Sequence, residues 1–183
     1  MIRIAGLFDI HGNLPALDAV LEEIRQAGVD QVVVGGDVVP GPMPRETLRR
    51  LLDLDLPVQF IYGNCERTVL AQMSATEPGS TTYWGTVSGR PPCGHTHMQF
   101  DSMIGRTRVV NAGSVGMPFG DTGAFWVLLG PDIQLRRTRY DLAKAAERIR
   151  GTQHPHARDE AQNVLHPPPE DTMLELFGRA ELR

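Results

Sequence analysis

The fold of this chain is decided by residues 2–13, IRIAGLFDIHGN. Residues 2–8 form a short apolar run with a β-branched start, which is typical of a buried strand. The run ends at the polar residues Asp9 and His11. Apolar residues then recur at helical spacing, and Asn13 is the predicted N-cap of that helix. The chain therefore begins with a strand–turn–helix unit whose turn carries polar side chains.

The same plan recurs twice. Residues 31–35 form a second β-branched run that leads to Asp37, and a helical pattern follows from Arg45. A third apolar run covers residues 58–62 and leads to Asn64. Strands joined by helical crossovers predict a largely parallel sheet covered by helices, and ligands of such sheets bind beyond the carboxyl ends of the strands.

The second part of the chain predicts different elements. Residues 77–92 contain too many glycines and prolines for a long element, which predicts a loop or a weak hairpin. We expect one domain over residues 1–183, with a helical tail at about 141–183. The remaining predicted elements are strands at 107–110, 123–129 and 133–138 and helices at 141–150, 157–165 and 170–179.

Composition excludes several classes of protein. The 183 residues are 41% hydrophobic and 22% charged, which describes a chain that buries a sizeable core. The net charge of -4 argues against nucleic acid as a partner. Two cysteines exclude a disulfide framework, and the sequence has neither a signal peptide nor a run of 18 apolar residues. We therefore expect a cytoplasmic protein that acts away from membranes.

Polar side chains at the predicted turns suggest a metal site. Asp9 and His11 are two residues apart, a spacing that places both on one side of an extended segment. His95 and His97 have the same spacing and would face one point if their segment is extended. Carboxylate, amide and imidazole donors suit divalent cations. The six candidate ligands are Asp9, His11, Asp37, Asn64, His95 and His97.

Four ordered motifs carry a resemblance to a known family. They are DIHGN at residues 9–13, GDVV at 36–39, GNCE at 63–66 and GHTH at 94–97. This set resembles the calcineurin-like metallophosphoesterase superfamily. It is most similar to the small bacterial phosphodiesterase branch, in which a cysteine, here Cys65, follows the asparagine of the third motif. The resemblance implies an α/β fold with a two-sheet core flanked by helices.

The resemblance also implies a mechanism. Two divalent cations, such as Mn, Fe, Zn or Ni, would clamp the phosphate of a small phosphate ester or nucleotide and activate a water for hydrolysis of a phosphodiester. Catalytic roles fall on Asn64, Cys65 and His95. The implied ligands are Asp9, His11 and His97 for the first cation, Asn64 and His95 for the second, and Asp37 as the bridge.

One departure from the family pattern leaves alternatives open. Only 27 residues separate Glu66 from Gly94, and none is a histidine, whereas the family places a strand and a further metal-binding histidine there. The central sheet then lacks one strand unless residues 81–88 supply it, and one or two cations bind per chain. A metal-binding pseudoenzyme or regulatory module and a phosphomonoesterase are the alternatives. A homo-oligomer also stays open.

Overall fold

The computed structural model of the chain describes residues 2–74 and 95–181. Strands and helices alternate at first, and two hairpins and three helices follow. The strands are β1 Ile4–Leu7, β2 Gln31–Val34, β3 Val58–Phe60, β4 Gln99–Ile104, β5 Thr107–Ala112, β6 Ala124–Leu129 and β7 Ile133–Thr138. The helices are α1 Leu14–Gln26, α2 Pro44–Leu52, α3 Asn64–Ser74, α4 Leu142–Arg150, α5 Ala157–Leu165 and α6 Glu170–Glu181.

The strands form two sheets. The main sheet has five strands in the order β3-β2-β1-β6-β7, and β4 pairs with β5 separately. β1, β2 and β3 run parallel, whereas β6 is antiparallel to both β1 and β7. The predicted α/β fold with two sheets flanked by helices is confirmed. The main sheet is mixed rather than largely parallel, because the β6–β7 hairpin adds antiparallel strands to it.

Helix α1 packs against the main sheet and anchors the first turn. Its buried side chains, among them Leu17 and Ile24, belong to the same apolar core as the strands. The Asn13 side chain accepts a hydrogen bond from the backbone N–H of Ala16 at 3.2 Å, which is the predicted N-cap. The turn with the first two candidate ligands is therefore held between a buried strand and a capped helix.

Two elements differ from the predictions. β3 ends at Phe60 rather than at residue 62, because its partner β2 ends at Val34, directly opposite Phe60. Helix α3 then begins at Asn64, where no helix is predicted. β4 also has no counterpart among the predicted strands, since five of its six side chains are exposed and it lacks a buried apolar face.

The last three helices lie where the sequence predicts them. α4 and α5 pack on each other and cover Leu14 and Met43 in a second apolar cluster. None of the described helices combines the length and the apolar character that a bilayer-spanning segment needs. The predicted loop at 77–92, with the replacement strand at 81–88, lies outside the described residues.

Candidate metal centre

Three side chains meet where β1 ends and β4 begins. The ligand atoms of Asp9, His11 and His97 lie within 4.8 Å of one another, and all three residues are buried. His11 Nε2 is 3.3 Å from His97 Nε2. Asp9 Oδ1 is 3.9 Å from the His11 nitrogen and 3.5 Å from the His97 nitrogen. We call these three residues the inner cluster.

Left-handed backbone aims these side chains. The φ angle is 51° at Asp9, 46° at His11 and 56° at His97, and it is 52° at Asp37. Non-glycine residues rarely adopt this conformation, which costs about 1–3 kcal/mol at each residue. β1 already ends at Leu7, so Asp9 and His11 lie beyond the strand. The predicted cause of their convergence, alternation along an extended segment, is therefore wrong.

Hydrogen bonds between loops hold this backbone in place. The N–H of Asp9 donates to the carbonyl of Gly36 at 3.2 Å, and the N–H of His11 donates to the carbonyl of Asp37 at 2.9 Å. The Ser114 hydroxyl donates to the Asp9 carbonyl at 2.7 Å. These bonds offset the strain, because they pin the first turn from both sides.

Backbone carbonyls orient the two imidazole rings. His97 Nδ1 lies 2.6 Å from the carbonyl oxygen of Met117, which can only accept, so this nitrogen carries a proton. The Pro40 carbonyl accepts a hydrogen bond from the His11 ring. Phe119 stacks on the His97 ring, with centroids 4.8 Å apart and planes 13° apart. The rings are thereby fixed with their Nε2 atoms facing each other.

Burial and charge set the protonation of the inner cluster. Burial lowers the pKa of His11 to about 4, and the charge of His97 acts in the same direction. For Asp9, burial acts to raise the pKa, but the hydrogen bond and charge of His97 outweigh it and the pKa is lowered. For His97, burial acts to lower the pKa, yet the hydrogen bond and charge of Asp9 leave it raised.

The inner cluster fits a divalent cation. Carboxylate and imidazole groups are the ligands that Mn²⁺, Fe²⁺ and Zn²⁺ share. Asp9 Oδ2 is buried and has no hydrogen-bond partner within the described part of the chain. A proton on His97 Nε2 can be shared with only one of the other two donor atoms of the cluster. One cation, by contrast, can be bound by all three donor atoms.

Asp37 and Asn64 follow the neighbouring strands β2 and β3. Asp37 Oδ1 accepts the backbone N–H of Cys65 at 2.9 Å, and the Cys65 thiol bonds to the same carboxylate. Burial raises the pKa of Asp37 to about 6, the Cys65 N–H opposes this rise, and the charge of Asp9 adds to it. Asn64 Oδ1 is buried and has no hydrogen-bond partner among residues 2–74 and 95–181. A carboxylate and an amide oxygen are thus present at this edge of the sheet.

Glu66 has an important position but no predicted role. Its carboxylate joins the loop after β2 to the first turn of α3. An acidic residue in the first turn of a helix is the sequence signal for such a role, because it can reach backbone N–H groups there. The carboxylate accepts from the N–H of Val38 at 2.7 Å, Asp37 and Gly63 at 2.8 Å, and Val39 at 3.1 Å.

Two glycines allow the loops after β2 and β3 to touch. A Cβ atom on Gly63 would lie 2.0 Å from Asp37 Oδ1, and one on Gly36 would lie 2.4 Å from the Gly63 nitrogen. Gly36 also has a φ of 98°, which side chains disfavour. The backbones of these two motifs therefore approach each other closely, and the absence of a side chain at both glycines makes the approach possible.

His95 lies outside the inner cluster. Residue 95 is in a turn before β4, so the predicted extended geometry that would aim both histidines at one point is wrong. Its ring centroid lies 5.6 Å from that of Phe177 in α6. Burial lowers the pKa of His95, and the charges of Asp9 and His97 act on it in opposite directions. His95 therefore borders the inner cluster without joining it.

Comparison with known proteins identifies the family. Residues 2–116 match the family model described as calcineurin-like phosphoesterase. The chain belongs to this family. The match spans every candidate ligand from Asp9 to His97, and the metallophosphoesterase family binds divalent metals.

Individual relatives agree with this assignment of a calcineurin-like phosphoesterase. Phosphodiesterase YfcE of Escherichia coli (strain K12) is 27% identical over an alignment that covers 73% of this chain and 90% of YfcE. The structure of YfcE, a phosphoesterase from E. coli, aligns with a TM-score of 0.56 and 25% identity over 74% of this chain and 93% of YfcE. These similarities support the predicted small bacterial branch.

A further structure supports the fold alone. A metallophosphoesterase from Sphaerobacter thermophilus aligns with a TM-score of 0.68 and 22% identity. The alignment covers 90% of this chain and 98% of that protein.

Proposed function

We propose that this calcineurin-like phosphoesterase hydrolyses phosphodiesters with one or two bound divalent cations. The buried convergence of Asp9, His11 and His97 carries the proposal. A charged carboxylate is costly to bury unless it is paired with a cation, and two imidazoles beside it supply the remaining ligands. Family membership supports phosphoester hydrolysis, and the similarity to phosphodiesterase YfcE favours diesters.

The proposed ligands divide into one set for each cation. The inner cluster would hold the first cation, and Asn64 and His95 would contribute to a second. Asp37 is the proposed bridge, since its charge interacts with that of His97 in the inner cluster. Mn, Fe, Zn and Ni all suit these donors. A bound divalent cation would attract the phosphate oxygens and acidify a water.

The proposed catalytic residues are Asn64, Cys65 and His95. Cys65 is the candidate proton donor to the leaving group, because its thiol bonds to the Asp37 carboxylate and a thiol can give up a proton. His95 is half-buried, so its ring is accessible to a phosphate ester. We expect the substrate to be a small phosphate ester or a nucleotide of the cytoplasm.

A metal-binding pseudoenzyme or regulatory module is the alternative. One observation favours it: His95 is not among the three residues whose ligand atoms cluster in the described part of the chain. The interval between Glu66 and Gly94 also contains no histidine that could complete a second site. The enzyme proposal is preferred because Asp37 is buried beside the inner cluster without a basic side chain bonded to it in the described part.

One assay separates the two functions. Protein stripped of metal and reloaded with Mn²⁺ is tested on bis(p-nitrophenyl) phosphate, a diester, and on p-nitrophenyl phosphate, a monoester. We expect metal-dependent turnover that favours the diester and falls at least about 100-fold in Asp37→Ala. The exposed Asp53→Ala is the matched control and should leave the rate unchanged.

The outcomes are distinct. Absent turnover, or equal turnover in Asp37→Ala and the parent protein, rejects the catalytic function and leaves the metal-binding module. A preference for the monoester indicates a phosphomonoesterase. Elemental analysis of the reloaded protein reports whether one or two ions bind per chain.

A further inference from the structure

We propose that Phe177 of the C-terminal helix α6 forms, together with Phe119, an apolar subsite that binds a planar aromatic ester group of the substrate. The inference rests on the proposed function, because the ester group belongs to the proposed phosphodiester. Helix α6 lies outside residues 2–116, which match the family model.

Successive contacts between aromatic rings connect the inner cluster to α6. Phe119 stacks on His97, with their ring centroids 4.8 Å apart. Phe177 lies 6.3 Å from Phe119 and 5.6 Å from His95, and its ring is tilted 43° and 46° to theirs. Phe177 is therefore the point at which α6 meets both the histidine motif and the ring that orients His97.

The two phenylalanines differ in exposure. Phe119 is 7% exposed, and its ring stacks on the His97 ring. Phe177 is only half-buried, so part of its ring is accessible beside the site. Phe119 lies beneath the subsite and positions the Phe177 ring, whereas Phe177 has the surface that a ligand can contact.

The start of α6 is fixed to the loop that carries Phe119. The N–H of Gly120 donates to the carbonyl of Pro168 at 2.8 Å. A Cβ atom on Gly120 would lie 2.6 Å from the Glu170 side chain, so the two residues are in close contact, and the φ of 77° at Gly120 favours glycine. The helix is thereby anchored at the edge of the candidate metal centre.

One face of α6 is turned toward the protein. Met173 and Phe177, four residues apart, are the half-buried described side chains of the helix. Leu174 and Leu176 are each 54% exposed. The helix therefore presents Phe177 to the site and Leu174 to solvent, which makes Leu174 a matched control.

The chemistry of a phosphodiester suits this arrangement. The phosphate is anionic, and the inner cluster with its proposed cation is the region that would attract it. The ester groups are uncharged, and a planar aromatic one can stack on a ring and bury apolar surface against it. Phenylalanine rings beside the cluster offer no hydrogen bond to the phosphate, so they select for the ester group instead.

Two phosphonates separate the ring contact from the phosphate contact. The Mn²⁺-loaded protein is titrated by calorimetry with phenylphosphonate and with methylphosphonate. We expect the parent protein to bind phenylphosphonate roughly three- to tenfold more tightly, as expected of an aromatic contact. Phe177→Ala should lose this preference and keep its affinity for methylphosphonate within about twofold, since the ring contacts the phenyl group and not the phosphonate oxygens.

Two further variants control for folding. Leu174→Ala, on the same helix, should keep the full preference. Phe177→Leu retains apolar volume, so α6 should stay docked, and it should lose most of the preference because the planar ring is gone. Circular dichroism confirms that each variant keeps its helices.

The results distinguish this inference from the proposed function. Equal affinities for the two phosphonates in the parent protein, or an unchanged preference in both Phe177 variants, overturn the subsite and leave the proposed function standing. Tighter binding of both ligands by Phe177→Ala also overturns it, since the ring would then obstruct the site. A parent protein that binds neither phosphonate overturns the subsite, whereas the proposed function is decided separately by turnover of bis(p-nitrophenyl) phosphate.

Discussion

The candidate metal centre has an inner and an outer side, and the two are built differently. The inner side is the buried cluster of Asp9, His11 and His97, in which every residue has a φ between 46° and 56°. The outer side consists of the two proposed ligands Asn64 and His95, which are both half-buried, one in the first turn of α3 and one in the turn before β4.

The difference shows where this protein is pre-organised. Inner residues are held by bonds to carbonyls of other loops, including those of Met117 and Gly36. On the outer side, His95 borders a ring of the C-terminal helix instead. We infer that the inner side can hold a cation before substrate arrives, because its donor atoms are already gathered, whereas the outer side is available for the substrate.

Substitution of Asp9 is expected to have the largest effect on metal binding. Asp9→Asn removes the one negative charge of the inner cluster, so we expect Mn²⁺ affinity to fall by more than about 100-fold, a larger loss than for residues that only orient a ligand. Cys65→Ser removes no charged ligand and should lower affinity by less than about tenfold. Isothermal titration calorimetry with Mn²⁺ measures both. Equal losses in the two variants would show that the inner carboxylate is not the main ligand.

The two histidines of the GHTH motif offer the next test. His97→Ala should lower the affinity for the first Mn²⁺ by about 100-fold, because it deletes an inner donor, and His95→Ala should lower it by less than about tenfold. Calorimetric titration at equal protein concentrations compares them directly. A larger loss in His95→Ala than in His97→Ala contradicts the division into inner and outer sides.

The last expected effect is on stability and not on metal affinity, and it concerns the Glu66 contact that joins the loops after β2 and β3. Glu66→Ala leaves four backbone N–H groups without their acceptor, and we expect a destabilisation of about 2–3 kcal/mol. Glu46→Ala, an exposed glutamate in the first turn of α2, should change stability by less than about 0.5 kcal/mol. Urea unfolding monitored by circular dichroism measures both. A Glu66→Ala protein as stable as the control would mean that water replaces the carboxylate.

Several predictions from the sequence agree with the structure because they rest on local patterns. Helix α1 begins at its predicted Asn13 cap, and α4 follows Asp141, whose side chain accepts from the N–H of Lys144 at 2.9 Å. Helical periodicity and capping act within a few residues, so they can be read along the chain. The end of β3 depends on the length of its neighbour β2, and the sequence of β3 does not carry that information.

The amino-acid sequence by itself determined the family, the strand–turn–helix units and the chemical identity of the donors, since apolar periodicity and polar turns next to glycines are local properties. Only the tertiary structure decided which donors share one point. His11 and His97 are 86 residues apart, and left-handed backbone together with bonds between loops brings their nitrogen atoms to 3.3 Å. The position of His95 was likewise decided by a turn and by packing against a helix about 80 residues further along the chain, because contacts across such separations exist only once the chain has folded.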